Sequence, residues 1–313
     1  KLIRPNPDAL IREGPKEKRQ MTETEPPAPS SPPSAPAPSA PTPPGARAPT
    51  GMRPMPKVRR IGFDDLAFAL RAGVADFRRA PQFGLFFGGI YAAGGWLFYW
   101  LLAVVEAPWL ILPIALAFPL VGPFVAVGLY DVSRRLSRGQ RLSWSAVLGV
   151  VFEQRRRELG WMAFVVLFIC FVWFYQVRPL TVLFLQNMSF SSVEGFLTVV
   201  LTTTSGLAYL AVGTGVGGFL ALTLFSTTVV AIPLLLERDR DFITAMITSI
   251  KAVTANPVPM LVWAAAVTAT MMISILAGFL GLLVALPILG HATWHLYCRL
   301  VEPEAGAGVG AAP

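Results

Sequence analysis

The two histidines of this chain are the first residues that could carry chemistry. His291 and His295 are four residues apart within Gly290-His-Ala-Thr-Trp-His-Leu-Tyr-Cys298, so on a helix they share one face. Such a pair can bind a transition metal or ligate a haem, and Cys298 falls close to the same face. Imidazoles within a membrane span also hydrogen-bond across helices, contact lipid headgroups, or handle protons and substrates. The spacing leaves these roles open.

A second candidate site is Gly122-Pro123, in an apolar stretch that ends at Tyr130 and Asp131. A proline removes one backbone hydrogen bond from a helix, and interrupted helices of this kind line substrate sites in transporters. An ordinary proline kink gives the same pattern. We therefore interpret Gly122, Pro123, Tyr130 and Asp131 as a substrate site or a kink.

Two further patterns concern contacts with the membrane and between helices. Three consecutive arginines, Arg155, Arg156 and Arg157, could hold the headgroups of anionic lipids, although orientation in the membrane alone accounts for such a cluster. Gly84-x-x-x-Gly88 and Gly213-x-x-x-Gly217 are small-residue faces of the kind that lets two helices pack closely.

The remaining polar residues do not form a catalytic set. The sequence has no Ser/His/Asp arrangement, no phosphate-binding loop, no dinucleotide-binding glycine pattern, no HExxH and no paired acids within an apolar stretch. We predict that the protein is not an enzyme. We expect no cofactor apart from a metal ion or haem at the histidine pair.

Long apolar stretches must position these candidates. Residues 260–297 run for 38 residues without Asp, Glu, Lys or Arg, whereas one bilayer crossing needs about 20 apolar residues. We expect this region to break at Gly278-Phe-Leu-Gly281 and to form two spans. The sequence predicts an all-α polytopic membrane protein with six transmembrane helices, at about 83–105, 109–130, 160–178, 207–236, 259–277 and 280–298.

Amphipathic stretches precede these spans. In the first, Phe63, Leu66, Leu70, Val74 and Phe77 recur at helical spacing, which predicts a helix lying at the membrane interface. Similar stretches at 144–159 and 242–253 precede later spans. We therefore predict three units, each an amphipathic helix followed by a helical hairpin. The long fourth span should tilt, or kink at Gly217-Gly218 or at Pro233.

The distribution of arginines predicts the orientation. Loops between spans 2 and 3 and between spans 4 and 5 are rich in arginine, whereas the opposite side holds Arg178 alone. By the positive-inside rule, both termini of this multi-pass protein are cytoplasmic. The net charge of +8 then needs no nucleic-acid partner. The expected partners are the lipid bilayer and other inner-membrane proteins.

The ends of the chain differ in composition from its centre. Residues 1–20 precede Met21-Thr-Glu-Thr-Glu25, a typical bacterial start, so we expect them to be an upstream extension. Residues 26–56 hold 13 of the 28 prolines, which predicts a disordered Pro/Ala/Ser-rich tail over 21–57. We assign 58–301 to the six-span membrane domain and 302–313 to a second disordered tail.

Several short motifs together resemble a bacterial membrane-protein family. They are Gly122-Pro123, Gly128-Leu-Tyr-Asp-x-Ser-Arg-Arg135, Pro233-Leu-Leu-Leu-Glu-Arg-Asp239, Ala245 with Ser249, Asn256-Pro257, Trp263 and Gly290-His-Ala-Thr-Trp-His-Leu-Tyr297. This set resembles domain-of-unknown-function family 2189 over about Arg59 to Val301. The resemblance implies a six-span proteobacterial inner-membrane protein from a family with no established activity.

The sequence is compatible with three functions. The first is a non-enzymatic accessory protein, scaffold or assembly factor for envelope components. The second is a transporter of a small solute or a lipid that uses Gly122-Pro123 and the Gly-rich fourth span. The third is metal or haem handling through His291 and His295. A polar cavity at the membrane midplane favours transport, whereas a tightly packed interior favours the scaffold.

Overall fold

The structure is a computed structural model that describes residues 55–104, 111–155, 158–186 and 192–303. Apart from turns, short connections and a β-bridge between Val58 and Val301, these residues are helical, which confirms the all-α class. The predictions for residues 1–54, 105–110, 304–313, Arg156 and Arg157 lie outside the described residues. The helices are α1 (Phe63–Arg79), α2 (Pro81–Ala103), α3 (Ile111–Ser137), α4 (Trp144–Arg155), α5 (Glu158–Leu185), α6 (Val193–Thr202), α7 (Thr204–Thr228), α8 (Ala231–Glu237), α9 (Phe242–Ala255), α10 (Pro257–Leu276) and α11 (Leu282–Leu300).

The order of these helices follows the predicted plan. A shorter helix (α1, α4 or α9) precedes each pair of long helices, and α6 is inserted before α7. Pro81 and Pro257 begin α2 and α10. Proline is favoured at a helix start because its missing N–H would have no helical partner there.

Two helices are longer and more continuous than predicted. Helix α3 runs through Gly122-Pro123 and continues past Tyr130 to Ser137, so the helix does not end at this pair; its role as a substrate site or a kink stays a prediction. Helix α5 runs through Pro179 to Leu185 rather than ending near Arg178. In each helix the proline lacks the N–H for one backbone hydrogen bond, but the helix continues past it. Prolines are tolerated in this way within membrane helices.

The predicted fourth span is divided, but not at its glycines. Helix α7 continues through Gly217-Gly218, and the chain turns at Val229 and Val230 before α8 begins. The proline ring of Pro233 would clash with the carbonyl four residues earlier, at Val229, which places the break there. The N–H of Val230 instead donates to Ser249 Oγ at 3.1 Å.

The last apolar region breaks where the sequence predicts. The chain turns between α10 and α11, and Gly278 and Phe279 both have positive φ angles, +69° and +66°. Glycine adopts this conformation without a Cβ penalty, which is why Gly278-Phe-Leu-Gly281 marked the break.

Helix α1 packs onto α11 through residues that differ in part from the predicted apolar stripe. Its buried residues are Leu66, Ala69, Gly73 and Asp76. At Gly73 a Cβ would lie 2.7 Å from the backbone of α11 at Ile288 and Ala292, so the contact requires glycine. Phe63 and Leu70, predicted for the same stripe as Leu66, are instead 59% and 42% exposed.

Three described helical segments are long and apolar enough to cross a membrane. They are Glu158–Leu185, Thr204–Glu237 and Pro257–Leu276. Within the most apolar window of each, the buried share is only 22%, 44% and 17%. Most of this apolar surface therefore faces outward, as expected for helices surrounded by lipid.

Candidate functional site

Asp131, one of the predicted site residues, lies at the centre of a group of charged side chains. Its carboxylate is fully buried and accepts bonds from the guanidinium groups of Arg134 and Arg135, the latter at 2.6 Å from Nε. Because α3 extends past Tyr130, these arginines lie three and four residues further along the same helix. Arg134 also donates to the carbonyl of Leu236, at the end of α8, at 3.1 Å.

Glu237 is the second centre of this group. One of its carboxylate oxygens accepts a hydrogen bond from the hydroxyl of Tyr297 on α11, and the other lies 3.4 Å from Nη2 of Arg138, just after α3. The two carboxylates thus connect the ends of α3, α8 and α11. We call Asp131, Arg134, Arg138, Glu237 and Tyr297 the polar cluster.

Further hydrogen bonds at the same end of the bundle hold the segment before α1, the end of α9 and the starts of α5 and α9. The buried side chain of Asn256 accepts from the N–H of Ile61 and donates to the carbonyl of Arg59, at 2.8 and 3.0 Å. Glu158, at the start of α5, accepts from the N–H of Phe242, at the start of α9, at 3.1 Å. Every unit of the fold therefore contributes to this end.

The two histidines share one region of α11 but have different partners. His291 is fully buried, and its Nδ1 lies 2.8 Å from Oγ of Ser133 on α3. Nε2 of His295 lies 2.7 Å from the carboxylate of Asp76 on α1. In the part of the chain that the structure describes, no three His, Cys, Asp or Glu side chains are grouped so that they could hold a metal ion. The metal or haem role stays a prediction, and the contacts present are interhelical hydrogen bonds.

Gly128 and Gly290 belong to the motifs that resemble family 2189, and they allow helices to pack closely beside the histidine contacts. A Cβ at Gly128 would lie 2.1 Å from the ring of Phe87 on α2, and one at Gly290 would lie 2.7 Å from Leu129. The ring of Tyr130 packs 6.4 Å from that of Trp294, which packs against Tyr297 at 5.5 Å. These motif residues serve the contacts of α3 with α2 and α11.

Gly122 and Tyr130 also line a small cavity. It has a volume of about 190 Å³ and lies among α2, α3, α10 and α11. Its walls include Tyr91, Gly290 and Thr293, and the remaining lining is apolar. Two of the four residues predicted as a substrate or kink site therefore meet at one cavity, whereas the Asp131 carboxylate is held in the polar cluster.

A larger groove of about 550 Å³ lies between α5, α7 and α10. Gly213, Gly217 and Gly218 form part of its lining, with Trp173 and Gln176 of α5 opposite. The side-chain oxygen of Gln176 is buried and has no hydrogen-bond partner among the described residues. A Cβ at Gly218 would meet nothing within 4 Å, in contrast to Gly73, Gly128 and Gly290.

Some sequence-predicted residues cannot be placed and some residues of the site were missed. The predicted headgroup contacts Arg156 and Arg157 lie outside the described residues, as does the side chain of Arg155. Asp76 and Glu237 were not predicted as site residues. Asp76 continues the helical spacing of Leu66, Ala69 and Gly73, so an acid within a buried stripe was the available signal.

Taken together, these helices define an all-helical integral membrane protein. Comparison with known families agrees: the family model described as "Predicted integral membrane protein (DUF2189)" matches residues 111–237, from the start of α3 to the end of α8. This confirms the resemblance noted in the sequence, although the Asn256-Pro257 and Gly290–Tyr297 motifs lie beyond the matched residues. No curated protein and no solved structure matches the chain.

Proposed function

We propose that the protein is a non-enzymatic accessory of the bacterial inner membrane, which crosses the bilayer six times and supports or assembles other envelope proteins. The groove between α5, α7 and α10 carries this proposal. It is a lateral opening among apolar helices, suited to a transmembrane helix of a partner protein.

The positions of the chain ends support an even number of crossings. The N–H of Arg59 donates to the carbonyl of Leu300, and the N–H of Glu302 donates to that of Lys57. Ends joined in this way support an arrangement in which both lie on one side of the membrane, with an even number of crossings. Helices α2, α3 and α11, with 23, 27 and 19 residues, are long enough to supply the other three crossings.

The polar cluster supports the cytoplasmic placement of this end. Arg134, Arg135, Arg138 and Arg238 all lie there, and arginine-rich ends of membrane proteins face the cytoplasm. Because the cluster joins α3, α8 and α11, it fixes the hairpins relative to one another. A fixed block suits a protein that offers a surface to others.

The glycines of α7 support a helix as the occupant of the groove. A glycine inside a helix costs about 1 kcal/mol relative to alanine. At Gly218 no contact within the described chain requires glycine, whereas close approach by another helix would. The unpaired oxygen of Gln176 offers an acceptor for a hydrogen bond between the two helices.

Site-specific photo-crosslinking in native membranes tests this proposal. A benzophenone amino acid replaces Leu210, which lines the groove. We expect a discrete adduct with another membrane protein that Gly218→Leu abolishes because the leucine fills the groove. Gly215→Leu is the matched control: Gly215 lies on α7, also meets nothing within 4 Å, and does not line the groove.

Two results would contradict the scaffold. An adduct that Gly218→Leu leaves unchanged would show that the partner does not enter the groove. An adduct with the mass of two copies of this chain would replace the proposed scaffold with self-association.

The cavity beside Gly122 favours a second function, transport of a small solute. Its volume of about 190 Å³ suits a molecule of a few heavy atoms, Tyr91 and Tyr130 are part of its walls, and the Tyr91 hydroxyl lies beside Gly122. Proteoliposome shrinkage measured by light scattering with glycerol and urea tests this function. Transport requires faster solute entry than in empty liposomes and loss of that entry in Gly122→Leu; equal rates in all three preparations exclude these two solutes.

A further inference from the structure

Helix α1 has a second, outward face in addition to the stripe that packs on α11. Phe63, Ala67, Leu70 and Val74 follow one another at intervals of four, three and four residues, which places them on one face. Phe63, Ala67 and Leu70 are exposed and Val74 is half-buried. The inner stripe, Leu66 to Asp76, lies on a neighbouring face. Of the residues predicted for the interfacial stripe, Leu66 therefore belongs to the packing face, whereas Phe63, Leu70 and Val74 lie on the outward face.

Three arginines accompany this outward face. Arg71 follows Leu70 and Arg78 follows Phe77, so both lie along one side of the apolar stripe, and Arg79 ends the helix. All three are exposed, and none has a hydrogen-bond or ion-pair partner among the described residues. Of the acids of α1, Asp64 lies on the same side as Arg71 but seven residues before it, in the first turn. Asp65 pairs with Arg299, and Asp76 is buried against His295.

The position of α1 fixes what this face meets. Helix α2, one of the proposed spans, begins at Pro81, two residues after α1 ends. Bonds from Asp76 to His295 and an ion pair from Asp65 to Arg299 attach α1 to the last helix of the bundle. With α2 as a span, as proposed above, the outward face lies where that span enters the bilayer, at the level of the headgroups.

We propose that the outward face of α1 binds anionic phospholipid, with Arg71, Arg78 and Arg79 on the headgroup phosphates and Phe63 and Leu70 among the upper acyl chains. Charge complementarity selects this ligand, because guanidinium groups pair with phosphate in bidentate geometry. An amphipathic helix with a basic border binds such a surface. This goes beyond the proposed scaffold; it rests on the proposed crossing by α2 and does not depend on the groove.

Lipid binding to the purified full chain tests the proposal. Native mass spectrometry counts dioleoyl phosphatidylglycerol bound to wild type and to Arg71→Gln/Arg78→Gln/Arg79→Gln, with dioleoyl phosphatidylcholine as the neutral probe. We expect wild type to prefer phosphatidylglycerol, and the triple variant to bind it on the order of tenfold more weakly. Because the three side chains are exposed, the variant should retain the elution volume of wild type.

A matched variant separates this site from general charge attraction. Arg60→Gln/Arg141→Gln/Lys251→Gln removes the same charge from exposed positions outside α1. The proposal requires this variant to keep phosphatidylglycerol binding within about twofold of wild type. Equal losses in the two triple variants, or wild-type binding without preference for phosphatidylglycerol, would overturn it.

Discussion

Asp131 belongs to one of the motifs that resemble family 2189, and its contacts hold helices together. Its carboxylate is buried between Arg134 and Arg135, and Arg134 reaches on to the end of α8. Glu237 likewise joins α8 to Arg138 and to Tyr297. These bonds use the charged groups to hold helices together, so a substrate is not needed to explain them.

Asp131→Asn should destabilise the folded protein. The substitution leaves two guanidinium groups, each only 18% exposed at the side chain, without their carboxylate, at a cost of about 2–3 kcal/mol. Thermal unfolding in detergent measures this loss. Asp64→Asn is the control, since Asp64 is an exposed acid in the first turn of α1. Equal melting temperatures for the two variants would contradict a structural role for Asp131.

The histidine pair can be tested by elemental and optical analysis of the purified protein. Nδ1 of His291 and Nε2 of His295 have Ser133 and Asp76 as hydrogen-bond partners, whereas the buried Nε2 of His291 has none among the described residues. No described third His, Cys, Asp or Glu is grouped with the pair to complete a metal site. We therefore expect neither a Soret band nor a stoichiometric metal in wild type. A band or a metal that disappears in His291→Ala/His295→Ala would instead assign the pair to cofactor handling.

At the scale of elements, the start of α9 makes a prediction about pH. The N–H of Thr244 donates to the Asp241 carboxylate at 2.8 Å, and this bond lowers the pKa of Asp241. A carboxyl group with a lowered folded-state pKa adds stability above its unfolded pKa, near 4, and loses it as the pH falls through the folded value. Asp241 should therefore contribute to the loss of stability below about pH 4.

Two variants separate the cap from its charge. Asp241→Ala should cost about 1 kcal/mol near neutral pH, because α9 loses its N-cap, whereas Asp241→Asn should retain most of the cap. Both variants should show a shallower decline in melting temperature between pH 5 and 3 than wild type. A decline as steep as that of wild type in both would show that this carboxylate is not linked to folding.

Elements marked by local signals could be predicted from the sequence. Pro81, Pro257 and Gly278 act on their own backbone, so the starts of α2 and α10 and the break before α11 were foreseen. The break before α8 depends in part on Ser249, a residue of another helix, and was placed only approximately. Of the inner stripe of α1, only Leu66 was predicted; Ala69, Gly73 and Asp76 were missed because a contact with α11 buries them.

The contacts of the candidate site were likewise predictable where they join neighbouring residues and not where they join distant parts of the chain. Asp131 with Arg134 and Arg135 lies within one helical turn, so their pairing was accessible from spacing alone once α3 was known to continue. The bond between Glu237 and Tyr297 joins residues 60 positions apart, and that between Asp76 and His295 joins residues 219 apart. Such contacts follow from how the hairpins pack, which the periodicity of a single helix does not specify.

For the whole molecule, we propose a six-span block that is closed at its cytoplasmic end. Lys57 and Glu302 are joined by a backbone hydrogen bond, and the polar cluster joins the ends of α3, α8 and α11 beside them. The connection between α6 and α7 should lie on the opposite side of the membrane. This arrangement assigns each exposed connection to one of two compartments.

Cysteine accessibility in intact spheroplasts tests on which side of the membrane each connection lies. Lys57→Cys, Gln140→Cys, Ser205→Cys and Glu302→Cys are each made in a chain in which Cys170 and Cys298 are replaced by serine. A membrane-impermeant maleimide should label Ser205→Cys in intact spheroplasts and the other three only after lysis. Labelling of Lys57→Cys or Glu302→Cys before lysis, or of Ser205→Cys only after it, would contradict the six-span arrangement.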